Sequence, residues 1–343
     1  MNGRRNLLKG AITAIAATAA MAGTGVRATG RRPPMPRLVL AGPPAPVSNA
    51  LVRIADEGLL ADVAEKVEFV LWKDPDRLRA LALQGGADVL AMPVNVAANL
   101  HNRGADIRLL EVSAWGVLWI VTRDPKVTSI EDLRGSEVAV PFRGDMPDIV
   151  LNLIAEKQGV DLRKALRLRY VASPFDALQL LLARRVDAAL LSEPAASMAL
   201  RKSGSLPLKL VAPALHRGID LQREWGLAFG RDPRLPQAGI AVAGSLRDRP
   251  DVIARVATAC RDALEGCRAA PAACGQAVAQ RIEMLDADAV ADAMATSMMR
   301  SVPAAEARGE LEFLFGQLLR HNPALVGGHL PPDAFYLGAS GKA

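Results

Sequence analysis

Short apolar runs alternate with amphipathic stretches through the first two thirds of the chain. The runs Leu38 to Ala41, Val67 to Leu71, Val89 to Met92, Gly116 to Thr122, Val138 to Pro141, Leu168 to Val171, Asp187 to Leu191 and Gly239 to Ala243 have strand length. About ten residues of helical periodicity separate most of them, which predicts βαβ units and a parallel sheet. A proline in the first turn marks several helix starts: Asp74-Pro75, Ser173-Pro174, Glu193-Pro194 and Val302-Pro303. Beyond Ala243 the alternation stops, and helices are predicted at Pro250 to Gly266, Pro271 to Glu283, Ala287 to Met298 and Pro303 to Arg320. An α/β portion followed by a helical C-terminal wrap suits two lobes better than one barrel.

Composition agrees with that picture. At roughly 150 residues per domain, 343 residues suggest about two domains. Half the residues are apolar and 23% are charged, an ordinary globular balance without the signature of disorder. The net charge of +6 would suggest a nucleic-acid partner if it were spread over the fold. It is not: residues 1–36 hold Arg4, Arg5, Lys9, Arg27, Arg31 and Arg32 and no acid. Arg4-Arg5-Asn6-Leu7-Leu8-Lys9 has the twin-arginine form and precedes an apolar stretch, Ala11 to Ala22, and a small-residue site, Val26-Arg27-Ala28. Residues 1–28 are therefore expected to be a twin-arginine signal peptide, removed on export. Its loss takes four cations from the +6 and leaves +2, which removes the case for nucleic acid. No cysteine follows the apolar stretch, so a lipid anchor has no acceptor, and the expected location is the periplasm.

Few chemistries fit the remaining residues. His101, His216, His321 and His329 have no metal-ligand spacing, and no Cys-x-x-Cys, Gly-x-Ser-x-Gly or Gly-x-Gly-x-x-Gly is present. No metal, cofactor or catalytic residue is expected. Asp286, Asp288 and Asp292 read as a helix cap and its first turns. Cys260 and Cys267 on one helix would lie about 10 Å apart, too far to bridge. Pro271 would let Cys274 fold back on Cys267, so these two either form a small disulfide loop or, with Cys260, serve as small core residues.

What remains is a set of strand-to-helix junctions, where open α/β sheets bind ligands and unpaired N–H groups attract anions. In the first, Gly42 to Asn49, three prolines remove three donors, and Ser48 either caps a helix or meets a ligand. Met92-Pro93-Val94-Asn95 follows, with Asn95 an N-cap, a ligand contact or both. In Pro141 to Asp148, Gly144 lets a backbone approach closely, Asp145 and Asp148 have capping-box spacing, and Arg143 offers a fork for carboxylate or sulfonate oxygens. Ser192-Glu193-Pro194 is the fourth, where Glu193 suits the helix dipole with or without a ligand. Arg143 and Glu193 together would suit a zwitterion or a polar neutral molecule. Trp115, beside Gly116 at a strand start, is either core or an apolar ligand wall.

Three stretches carry a resemblance: Gly86-Ala87-Asp88-Val89-Leu90-Ala91-Met92-Pro93-Val94-Asn95, Ser129-Ile130-Glu131-Asp132-Leu133-Arg134-Gly135 with Val138 to Pro141, and Val186-Asp187-Ala188-Ala189-Leu190-Leu191-Ser192-Glu193-Pro194. From about residue 37 to 337 the chain resembles periplasmic substrate-binding proteins of ABC importers, in the sulfonate/nitrate/taurine-type branch that includes binders of thiamine-pyrimidine precursors. The resemblance implies a type II periplasmic-binding fold: lobe 1 from 37–122 plus 238–337, lobe 2 from 123–210, and a return crossover at 211–237. It implies a monomer that holds a small organic, anionic or zwitterionic molecule between the lobes and hands it to an importer permease. Ser48, Pro93, Asn95 and Trp115 would face the cleft from one side, and Arg143, Gly144, Asp145 and Glu193 from the other. The proline-loaded first loop and Arg143-Gly144-Asp145, where relatives often carry a glycine- and serine-rich turn, depart from the pattern. Two alternatives stand beside this reading. One is an enzyme on the same scaffold, for which Lys73 and Lys157 sit in no recognisable motif; the other is a sensory binding protein.

Overall fold

The apolar runs pair into two sheets in the computed structural model, which describes residues 32–206 and 213–338. The leader expected at 1–28 lies outside the described residues. From Pro34 onward the chain forms one unit. Its first sheet contains β1 (Leu38–Gly42), β2 (Val67–Leu71), β3 (Val89–Pro93), β4 (Ile107–Ala114), β10 (Ala238–Ala243) and β11 (Met299–Pro303), in the order β11-β4-β10-β3-β1-β2. The second contains β5 (Leu118–Thr122), β6 (Glu137–Pro141), β7 (Arg167–Val171), β8 (Ala188–Ser192) and β9 (His216–Asp220), in the order β7-β6-β8-β5-β9. β1 runs parallel to β2 and β3, and β6 parallel to β7 and β8, while the strands that return from the other lobe pair antiparallel. The parallel strands β1, β3 and β6 are buried along nearly their whole length, which explains their unbroken apolar sequences.

Three strands escape the apolar pattern. β9 and β11 are edges, His-Arg-Gly-Ile-Asp and Met-Arg-Ser-Val-Pro, and an edge strand buries too little to need an apolar run. β4 is central but carries Arg108 and Glu111. These strands correct two expectations. β5 belongs to the second sheet, so the chain leaves the first lobe between Ala114 and Leu118 rather than at 122, and β9 lies in that second sheet, inside the segment expected as a crossover. Pro303 ends β11 instead of starting a helix, because β4 has an open side there and a proline is tolerated on an edge.

Helices cover both sheets: α1 (Asn49–Asp56), α2 (Pro75–Leu83), α3 (Val94–Asn102), α4 (Met146–Lys157), α5 (Leu162–Ala165), α6 (Pro174–Leu182), α7 (Ala195–Gly204) and α8 (Leu221–Phe229). The C-terminal part adds α9 (Pro250–Ala269), α10 (Pro271–Arg281), α11 (Ala287–Thr296) and α12 (Arg308–His321). Asp74, Ser173 and Asp286 each accept a hydrogen bond from a first-turn backbone N–H and fix the starts of α2, α6 and α11. Asp288 and Asp292 do more than favour the dipole, since both pair with Arg201 of α7. Cys267 and Cys274 form a disulfide across the break at Pro271, and Cys260 is a buried thiol. One apolar cluster runs through both sheets, from Leu90, Met92 and Val112 to Ile120, Val138 and Leu190.

Candidate functional site

The four junctions converge, but with their side chains arranged differently from the sequence expectation. In the first loop the Ser48 hydroxyl is fully buried and donates to the Pro43 carbonyl at 2.6 Å, closing the loop on itself. Gly42 is required beside it, because a Cβ there would lie 2.2 Å from that hydroxyl oxygen. In the second loop Pro93, not Asn95, is the N-cap of α3, and Asn95 is buried within the first helical turn.

The third junction is built by a tight turn. Phe142 and Gly144 both take left-handed backbone angles, φ 55° and 78°. Asp148 reaches back to accept from the Gly144 N–H at 2.8 Å, which leaves Asp145 without a capping duty. Asp145 instead crosses to the other lobe and accepts from Arg79 of α2 at 3.0 Å. Burial pushes the Asp145 carboxyl up from its ordinary range, against the attraction of Arg79. Arg143 is exposed and rests its guanidinium 5.0 Å from the centre of the Tyr170 ring. At the fourth junction Glu193 has no exposure at all. It accepts from Arg217 of β9 at 2.5 and 3.0 Å and from the Ser197 N–H and hydroxyl at 3.1 and 2.7 Å.

Between the sheets lies a cavity of about 260 Å³ with walls from both lobes. The first lobe supplies the proline loop before α1, Trp72 after β2, and Met92 and Pro93 of β3; the second supplies Phe142, Met146, Pro147, Pro174 and Phe175. Gln237, Ser173, Ser192, Lys73 and Asp145 are its polar lining residues. Of the eight residues expected at the site, Pro93 and Asp145 line this cavity. Ser48 and Glu193 hold their own junctions together. Trp115 is buried with its indole N–H donating to the Arg300 carbonyl at 2.9 Å. Asn95, Gly144 and Asp145 line a neighbouring hollow of about 410 Å³ together with Arg79 and Arg103, and the Asn95 Oδ1 there has no hydrogen-bond partner. Among the described residues, no group of His, Cys, Asp or Glu could hold a metal ion, and no helix is long and apolar enough to cross a membrane.

No protein-family model matches the chain, and no curated protein matches it. Solved structures do. An ABC transporter from Parabacteroides distasonis is 22% identical, with a TM-score of 0.72 over 88% of this chain and 99% of its own. The alkanesulfonate-binding protein SsuA from Xanthomonas axonopodis pv. citri is 17% identical, with a TM-score of 0.64 over 89% and 97%. The periplasmic nitrate-binding protein NrtA from Synechocystis is 13% identical, with a TM-score of 0.66 over 84% and 82%. The fold is that of ABC-importer periplasmic binding proteins.

Sequence reasoning missed Trp72, Phe142 and Gln237 as lining residues. Trp72 was within reach, because Leu71-Trp72-Lys73-Asp74-Pro75 is a strand running into a proline-marked helix like the other junctions. Gln237 carried no local signal. It enters by pairing: its backbone N–H donates to the Ala114 carbonyl, its carbonyl accepts from Val94, and its side-chain oxygen accepts from the Val117 N–H at 2.6 Å.

Proposed function

We propose that the protein is an exported solute receptor that captures a small organic molecule between its lobes and delivers it to the permease of an ABC importer. The observation that carries this reading is a cavity walled by both lobes, in a fold shared with binding components of import systems. A ligand touching both walls favours the closed arrangement over the open one by the free energy of contacts made only when closed, and an importer can recognise that arrangement. The Arg79 to Asp145 ion pair already links the lobes beside the cavity. The expected place of work is the periplasm, reached through the twin-arginine leader at 1–28, and the expected state is a monomer. The titratable lining residues, Lys73 and Asp145, form no nucleophile and base pair, which favours a receptor over an enzyme.

Mass spectrometry of small molecules released from protein purified without denaturation, followed by titration of the released compound back into stripped protein, tests this. The expected result is one compound that rebinds and is recovered unaltered. Recovery of a chemically changed product would overturn the reading.

The position of Arg143 gives a second expectation. Arg143→Ala should leave affinity for the released compound within about twofold in calorimetric titration, because the guanidinium sits on Tyr170 and not on the cavity wall. The same change should lower stability by about 0.5–1 kcal/mol in urea unfolding, the worth of an exposed cation–π contact.

A further inference from the structure

The geometry points to a definite ligand class: a small uncharged organic molecule with an aromatic or branched aliphatic body and one hydrogen-bond acceptor. This rests on the receptor reading and narrows it, and it departs from the anionic or zwitterionic ligand expected from the sequence.

An anion held in an α/β cleft draws on unpaired N–H groups at helix starts. Here prolines remove several of those groups, and several of the others are already engaged. Pro43, Pro44 and Pro46 of the first loop have no N–H. Proline also stands at the start of α2, α4 and α6, and Pro93 caps α3. Four of the amides that remain around the cavity are engaged: Ala45 donates to the Pro43 carbonyl, Val94 to the Gln237 carbonyl, Asp145 to the Phe142 carbonyl and Gly144 to the Asp148 carboxylate.

Charged side chains do not replace them. Asp145 is paired with Arg79, and Lys73 is exposed at the rim. An anion entering this chamber would give up its water for carbon, at a cost the walls do not return. An apolar body gains instead from Trp72, Met92, Phe142 and Phe175. The volume of about 260 Å³ is ~1.7 times the ~150 Å³ apolar cavity that takes up benzene, which is room for a substituted ring. Gln237 sets the polar end. Its oxygen is engaged by Val117, so the carboxamide NH2 is the donor left to meet a ligand acceptor.

Acetophenone and benzoate share a ring and nearly a shape but differ in charge, so they separate the possibilities. Titration of ligand-stripped protein, read by calorimetry and tryptophan fluorescence, should give acetophenone an affinity at least tenfold above that of benzoate, MOPS or nitrate. Ala45→Trp, which fills the chamber from a loop position, should abolish the acetophenone signal. Gln237→Glu, which keeps an oxygen for Val117 but removes the NH2, should weaken acetophenone at least tenfold. Tighter binding of benzoate, MOPS or nitrate would overturn the ligand class and leave the receptor reading standing. Silence toward acetophenone, with a charged compound recovered from the native protein, would do the same. Silence toward the whole panel, with no compound recovered, would remove both.

Discussion

Glu193→Ala is expected to lower the unfolding free energy by about 3 kcal/mol, the lower end of the range for breaking a buried ion pair from one side. The carboxylate is wholly buried and satisfied by five groups: Arg217 through two nitrogens, Ser197 through its N–H and hydroxyl, and the Thr296 hydroxyl at 3.4 Å. Removing it strands a guanidinium whose side chain is 17% exposed, and it loosens three elements at once, the β8–α7 junction, β9 and α11. Arg217 retains its place over Trp119 and partial access to water, which keeps the cost at the lower end. The double variant Glu193→Ala/Arg217→Ala should cost about 1–2 kcal/mol less than the two single changes added together, since it leaves no buried charge alone. Urea unfolding of the four proteins measures this coupling. A loss below about 1 kcal/mol for Glu193→Ala would mean that the ion pair contributes little to the stability of this junction.

The same residues show where sequence reasoning reached and where it stopped. Buried parallel strands must be apolar on both faces, so β1, β3, β6 and β8 announced themselves, and prolines located the starts of α2 and α6. The alternation fixed the fold class for that reason. Side-chain direction was a different matter. Glu193 at a helix start satisfies the dipole whether it faces a ligand or an arginine, and only the pairing of β8 with β5 and of β5 with β9 puts Arg217 beside it. Arg143 was a good oxyanion fork by type, yet the left-handed turn at Phe142 points the phenyl ring into the cavity wall and leaves the arginine on Tyr170.

The prolines carry a second consequence. As punctuation they mark helix starts, and as wall material they deprive the cleft of the amide donors that a helix start otherwise supplies. Pro75 and Pro174 do both: they open α2 and α6, and each takes one amide donor from the cavity wall.

Glu111 should make the protein lose stability as pH rises from about 4.5 to above 7. The residue sits in β4 among central strands and is 4% exposed, and its carboxyl accepts from the Ser301 hydroxyl of β11 at 2.5 Å. Burial pushes its pKa up to about 7, with the Ser301 hydrogen bond and the charge of Arg261 opposing the shift only in part. The sign follows from linkage. In the unfolded chain a glutamate titrates near ~4.3, so between that pH and about 7 the folded state holds a proton that the unfolded state has released. The stabilisation is complete below the unfolded value and disappears as pH passes the folded one. At ~1.4 kcal/mol per unit, a shift of this size amounts to about 3 kcal/mol. Glu111→Gln keeps the shape and an acceptor for Ser301 but cannot ionise. Its stability relative to wild type should therefore rise by about 3 kcal/mol between pH 4.5 and pH 8, with the titrations common to both proteins cancelling. Guanidinium unfolding at both pH values reads the difference. Parallel pH profiles for the two proteins would mean that water reaches this carboxylate through the sheet. The neighbouring Cys260 thiol, raised by burial and by Glu111, stays neutral across the range and does not disturb the comparison.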